Sequence, residues 1–283
     1  MLMTGKELLL DAQKNRYAVG AFNVNNMEII QAIINAAEEL ESPVILQASQ
    51  GGLKYAGVEY IAALGKLAGR KANVPVALHL DHGTDFEQVM QCIRHGFTSV
   101  MIDGSRFPLE ENIAFTKRVV EIAHSVGVTV EAELGKIGGT EDHITVSEKD
   151  ATFTDPEEAR IFVEETGVDY LAIAVGTAHG VYKGEPKLDY DRIKAIREVV
   201  DIPLVLHGSS GVPSESLQKA ISLGICKINI DTDIRASFAQ AVKEFVKNNP
   251  DEIDPRKILS PATKAMTETI KEKMRIFGSA GRA

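Results

Sequence analysis

From residue 19 onward, short apolar β-branched runs alternate with amphipathic segments of ten to twenty residues, and this alternation constrains the fold more than any other feature. Such a pattern is the signature of repeated βα units and a parallel sheet. The strand candidates are 19–23 (VGAFN), 43–49 (PVILQAS), 75–80 (PVALHL), 98–102 (TSVMI), 128–134 (VTVEAEL), 170–175 (YLAIAV), 203–208 (PLVLHG) and 226–231 (CKINID). Helix-like stretches follow them, for example MEIIQAIINAAEELE after the first. Eight right-handed units close naturally into a (β/α)8 TIM barrel. TGKELLLDAQKNR would cover its bottom as an extra N-terminal helix, and PATKAMTETIKEKMRIFG would form a C-terminal helical extension. An open doubly wound sheet is the rival; it would carry G-x-G-x-x-G after an early strand, where this chain has NVNNME. With no linker or low-complexity segment, residues 1–283 are expected to form one α/β barrel domain.

Composition enters through what it excludes. The chain has 31 Lys plus Arg against 40 Asp plus Glu, a net charge of -9, which argues against nucleic-acid or anionic-membrane partners. An anionic ligand would need a local positive site. Cys92 and Cys226 fall inside helix or strand segments and are expected to be reduced core thiols. The opening lacks the basic-then-apolar run of a signal peptide and no stretch of 18 apolar residues occurs, so the expected location is cytoplasmic.

In a barrel of this kind the active site lies at the C-terminal ends of the strands. Polar residues gather there: Asn23, Ser49, Asp81 with His82, Asp103, Glu131 with Glu133, His179, His207, and Asn229 with Asp231. The histidines His82, His179 and His207 converge on one mouth from strands 3, 6 and 7. Three neutral imidazoles leave Zn²⁺ an open position for substrate or water. His79, on the apolar strand itself, is assigned a structural place, and nothing ties His95, His124 or His143 to the mouth. Asp81 directly precedes a candidate ligand and is placed to move a proton as general acid or base. As a helix cap, Thr84 is better situated than Asp81. Glu131 and Glu133 share one side of their strand, where burial without cations or donors would be costly, so they suit a role at or beside a metal. Asp103 could join Glu133 around a second cation. The long connection 135–154 opens on GKIGGTED, and its glycines suit a lid that carries Glu141.

HGSSGVPSE and NIDTDIR follow strands 7 and 8, the usual phosphate corner of the fold. Gly208, Ser209, Ser210 and Gly211 let backbone N–H groups approach an anion, and the helix starting near Pro213 adds its positive end. GTAHGVYKG adds Gly180 and Lys183 beside His179, and Arg235 supplies a further cation. Two anion sites flanking one metal point to a substrate phosphorylated at both ends.

At these blocks the chain resembles the class II, zinc-dependent fructose-bisphosphate aldolases, of the branch shared with tagatose-bisphosphate aldolases. VPVALHLDHG (74–83) and VEAELGKIGGTED (130–142) are similar to the two family signatures, and GTAHG, LHGSSG and NIDTD follow in family order. The resemblance implies His82, His179 and His207 as zinc ligands, Asp81 as proton donor to the aldehyde oxygen, and Glu141 as the lid acid acting on the dihydroxyacetone phosphate carbon. It places Gly180, Gly208, Ser209, Ser210, Asn229, Ile230, Asp231 and Thr232 around dihydroxyacetone phosphate; Asn23, Ser49 and Lys183, from their positions at the mouth, are read as further substrate contacts. Asp103 and Glu133 match positions linked with a second divalent metal; some relatives respond to Na⁺ or K⁺. Sugar bisphosphates and triose phosphates are the implied partners, and homodimers or homotetramers the implied assembly. Asp231 and Arg235 resemble the arrangement for fructose 1,6-bisphosphate, the glycolytic substrate; tagatose 1,6-bisphosphate is the alternative.

Three rivals remain open to test. A Schiff-base aldolase would use Lys183 or Lys227, but Lys227 is read as out of phase with Asn229 and Asp231 and so as pointing away from the mouth. A metal-dependent hydrolase would need a scissile ester or amide and at most one anion site. A non-catalytic sugar-phosphate or protein binder would not need Asp81.

Overall fold

The computed structural model describes residues 1–141, 144–147, 151–182, 184 and 186–283, with Glu141 and Ile144 described by backbone alone. The strands are β1 (Val19–Asn23), β2 (Val44–Ser49), β3 (Val76–Gly83), β4 (Ser99–Ile102), β5 (Thr129–Leu134), β6 (Gly138–Glu141), β7 (Ile144–Val146), β8 (Tyr170–Ile173), β9 (Ala178–His179), β10 (Leu204–Leu206) and β11 (Ile225–Ile230). The helices are α1 (Gly5–Asn15), α2 (Met27–Glu39), α3 (Gln50–Ala56), α4 (Val58–Lys71), α5 (Phe86–Arg94), α6 (Leu109–Ser125), α7 (Pro156–Thr166), α8 (Tyr190–Val199), α9 (Ser214–Ser222), α10 (Thr232–Asn248) and α11 (Pro255–Phe277). Eight parallel strands close as β1-β11-β10-β8-β5-β4-β3-β2, the expected (β/α)8 barrel, while β7, β6 and β9 make a small separate sheet.

Each barrel strand is buried on both faces, and its period of two sorts side chains into two cores. Phe22, Leu46, Leu78, Leu80 and Ile228 face the helices. Val19, Ala21, Ile45, Ala77, Met101, Ala172 and Val205 fill the lower interior, joined by Leu8, Leu9 and Ala12 of α1. The N-terminal helix therefore plugs the bottom, as its apolar face predicts. Thr4 and Glu7 start it with a reciprocal capping box. In α2, Ile29, Ile30, Ile33, Ala36 and Ala37 form one buried stripe. Each isoleucine buried there is worth roughly 1.5–3 kcal/mol. The additional helix α11 packs Met266, Ile270, Met274 and Phe277 into the helical layer.

Both cysteines are buried and free. Among the described residues, no helix is long and apolar enough to cross a membrane. One local expectation needs correction: Asp85, not Thr84, caps α5, its Oδ1 accepting from the Gln88 N–H at 2.8 Å. Thr84 Oγ1 instead donates to the Gln50 side-chain amide oxygen Oε1 at 3.1 Å.

Candidate active site

Two adjacent residues of a regular strand point to opposite faces, so Asp81 and His82 should not both enter the barrel. A register irregularity between Leu80 and Gly83, where β3 pairs with β4, resolves this. His82 there adopts φ 48°, a left-handed backbone that bulky residues rarely take. Such an extra residue re-aims a side chain, and here it turns the imidazole into the mouth beside Asp81.

His82 Nε2 lies 2.8 Å from His207 Nδ1. The rings of His82, His179 and His207 stand nearly perpendicular to one another, with centroids 4.6–6.0 Å apart. One nitrogen of each lies within 4.8 Å of the others, a span that one ion can bridge. The outward nitrogens are already engaged: His82 Nδ1 meets Asp103 Oδ2 at 3.1 Å and His207 Nε2 meets Glu131 Oε1 at 2.7 Å. Each carboxylate can take an N–H there, leaving a lone pair on the inward nitrogen. Burial, followed by the His82 charge, pushes the His207 pKa down and favours the neutral, ligating ring. The donor set thus fits Zn²⁺, whose bonds to imidazole span roughly 2.0–2.1 Å. Burial works to raise the Asp103 pKa, but bonds from His82 and Ser105 and the His82 charge hold it at about 2. Asp103, Glu133 and His82 also bring ligand atoms within 4.8 Å of one another, a second group of metal-binding type.

Asp81 is fully buried and takes three amide donors. Asn23 Nδ2 and Gln47 Nε2 reach its Oδ2 at 2.9 and 3.1 Å, and Asn229 Nδ2 reaches its Oδ1 at 3.1 Å. Gln47 also ties Asn23 in place through a 2.7 Å bond. Gln47 is not among the candidates drawn from the sequence, although a glutamine inside VILQAS, two residues from Ser49, marks an inward polar position.

Beside the histidines opens a cavity of about 390 Å³, bordered by Asn23, His179, Gly180, Gly208, Ser209, Ser210, Asn229, Asp231, Thr232 and Arg235. Arg235 pairs with Asp231, its Nε 2.7 Å from Oδ1. Ser210 Oγ accepts from the N–H groups of Asp231 and Asp233 at 3.3 and 3.4 Å, which joins the two loops. Ser49 caps α3 through the Gly52 N–H, and the Ile230 side chain is buried in the outer core, so only its backbone faces the mouth side. Lys183 and His143 lie outside the described residues, as does the Glu141 side chain.

Residues 3–282 match the family profile described as fructose-bisphosphate aldolase class-II. The fructose-bisphosphate aldolase of Thermus caldophilus is 53% identical, and that of Helicobacter pylori strain J99 45% identical, each over the full length of both chains. The crystal structure of the YdjI aldolase from Escherichia coli K12 superposes with a TM-score of 0.88 at 40% identity, covering both chains completely. The chain belongs to the class II fructose-bisphosphate aldolase family.

In this aldolase the position of Lys227 overturns the expectation of an outward lysine. Residues 227, 229 and 231 are two apart and share a face, so Lys227 enters the barrel, where it is completely buried. Its Nζ lies 2.6 Å from Glu131 Oε2, below the histidines. Burial would raise the Glu131 pKa, but Lys227, His207 and His79 together hold it well below the usual carboxylate range. His79 is likewise internal, with Nδ1 2.7 Å from Ser99 Oγ, and burial followed by the Lys227 charge pushes its pKa down.

The long connection of this aldolase is not irregular throughout. β6 pairs antiparallel with β7 and parallel with β9, so the GKIGGTE segment is laced to the His179 strand. Gly139 makes this possible: at φ 98°, an added Cβ would stand 2.2 Å from the His179 carbonyl oxygen. Gly139→Ala is therefore expected to separate β6 from β9 and loosen His179, weakening zinc about tenfold or more while leaving the barrel folded. Zinc competition titration with far-UV circular dichroism checks this; unchanged affinity would contradict it.

Proposed function

We propose that the chain catalyses the zinc-dependent, reversible cleavage of fructose 1,6-bisphosphate to dihydroxyacetone phosphate and glyceraldehyde 3-phosphate, with residues 1–283 acting as one barrel domain. The observation that carries this reading is the convergence of three imidazoles beside an amide-cradled Asp81, at the wall of a cavity ending in Gly208–Ser210 and Arg235. His82, His179 and His207 would hold the zinc. When bound, the ion supplies Lewis-acid stabilisation at the ketose carbonyl oxygen as negative charge develops on the three-carbon fragment.

The chain's own groups move the protons. In cleavage, Asp81 takes the proton of the C4 hydroxyl as the C3–C4 bond breaks and C4 becomes the aldehyde carbon. The electron pair stays on C3, and we assign Glu141 to protonate that carbon; condensation runs these transfers backward. Asn23, Gln47 and Asn229 fix the Asp81 carboxylate. Gly180, Ser209, Ser210 and Thr232, with the backbone N–H at Gly208, suit the phosphate of the three-carbon half, Arg235 suits the distal phosphate, and Lys183 is a further substrate-binding cation. Ser49 then acts through helix α3, which it caps.

The Asp231–Arg235 pair supports fructose over tagatose bisphosphate, because it resembles the fructose-type arrangement of an acid for the C4 region and a cation for the 6-phosphate. Asp103 and Glu133 are assigned to a second divalent metal, and a monovalent cation, Na⁺ or K⁺, is a further part of the reading. We further infer a cytoplasmic homodimer or homotetramer. One assay tests substrate and metal together: aldol cleavage of both ketose bisphosphates, before and after chelation and zinc repletion. Fructose 1,6-bisphosphate should be cleaved faster, and only with zinc. Preference for the tagatose isomer, or turnover resistant to exhaustive chelation with borohydride trapping of an imine, would reject this reading.

A further inference from the structure

Below the metal-type cluster runs a polar chain that neither proton transfer nor phosphate binding uses. Lys227 of β11 donates to Glu131 Oε2 of β5 at 2.6 Å, and Glu131 Oε1 meets His207 Nε2 of β10 at 2.7 Å. All three side chains are completely buried. In the barrel order β11-β10-β8-β5, the Lys227–Glu131 pair reaches across the interior instead of linking neighbouring strands. Lys227 Nζ also lies 3.4 Å from His79 Nε2, whose other nitrogen is held by Ser99.

The geometry divides the work of one carboxylate. Glu131 Oε1 can accept the His207 Nε2–H, which leaves the Nδ1 lone pair directed at His82 and the cluster centre. That orientation requires the carboxylate to stay in one rotamer, and Oε2 is what Lys227 grips. A buried carboxylate deprived of its ammonium would be left with an unsatisfied oxygen and would turn toward any remaining donor.

We propose that Lys227 is a positioning residue for the zinc centre: by pinning Glu131 it fixes the tautomer and ring orientation in which His207 presents Nδ1 to the metal. The inference rests on the reading of His82, His179 and His207 as zinc ligands. It assigns Lys227, the rival imine-forming amine, a role through Glu131 and His207 without contact with the substrate.

The test uses the zinc-loaded enzyme, Lys227→Met, the uncharged double variant Glu131→Leu/Lys227→Met, and His207→Ala as the control. Zinc affinity is read by competition with a chromophoric chelator, and folding by near-UV circular dichroism. The double variant leaves no unpaired buried charge, so it keeps the fold if the single variant does not. Outer contacts to a metal-ligating histidine typically change affinity by roughly 10–100-fold, and a loss in that range is expected in each folded variant. Affinity within twofold of the parent in either folded variant would overturn the proposal. Independently of any substitution at Lys227 or Glu131, ¹⁵N-histidine NMR of the zinc-loaded parent should show His207 protonated on Nε2 and metallated through Nδ1; the opposite tautomer would also overturn it. If the parent binds no zinc, or His207→Ala retains it at full affinity, the zinc-site reading itself has failed, a result distinct from equal affinities in parent and Lys227 variants.

Discussion

His207→Ala is expected to abolish zinc binding and aldol cleavage together. The substitution removes one of the three converging nitrogens and also strips Glu131 Oε1 of its partner at 2.7 Å. Two remaining imidazoles, His82 and the half-buried His179, offer too few donors to hold a catalytic zinc. The ion contributes several kcal/mol of charge stabilisation in such chemistry, so turnover should fall by roughly 10³-fold or more. Metal analysis after gel filtration and a coupled cleavage assay measure both effects. A His207→Ala protein with one tightly held zinc and near-parental rate would remove the site as assigned. Glu131 remains paired with Lys227 in this variant, so no buried charge is orphaned and the barrel should stay folded.

Asp81→Asn should separate binding from chemistry. The side chain keeps its size, and one of its atoms must change from acceptor to donor. If the new carbonyl oxygen takes the bonds from Asn23 and Gln47, its amino group faces Asn229. Rotating the Asn229 amide presents an oxygen that otherwise has no hydrogen-bond partner, so the network can close again. The fold and zinc content should therefore persist while general-base assistance disappears, and turnover should drop by about 10²–10⁴-fold. Stopped-flow cleavage with zinc content determined on the same sample checks this. Parental turnover would refute the role of Asp81, and loss of zinc would show that the carboxylate supports the metal instead.

Much of this was legible in the chain because repeated βα periodicity is a long-range, redundant signal. Every barrel strand ends near a residue that tolerates the mouth, so His82, His179, His207, Asp81 and Asn229 could be gathered without coordinates. The failures have local causes. Counting by two places Lys227 in phase with Asn229, and the inward lysine follows only when that phase is kept. Its partner Glu131 lies nearly one hundred positions away, and no spacing rule links them. Strict alternation would have sent His82 outward; the irregularity at Leu80–Gly83 depends on pairing with β4, which the isolated strand does not encode. Gln47 was hidden in an apolar run because burial of an amide is paid for only by partners on other strands, Asn23 and Asp81. The small β6-β7-β9 sheet has strands of two to four residues, too short to carry a period.

The most direct measurement is anomalous diffraction across the zinc absorption edge from crystals of the zinc-loaded protein. A peak bonded by His82, His179 and His207 is expected, with Asp81 close by and unligated. A zinc peak held by other side chains, with those three rings pointing to no shared ion, would contradict it.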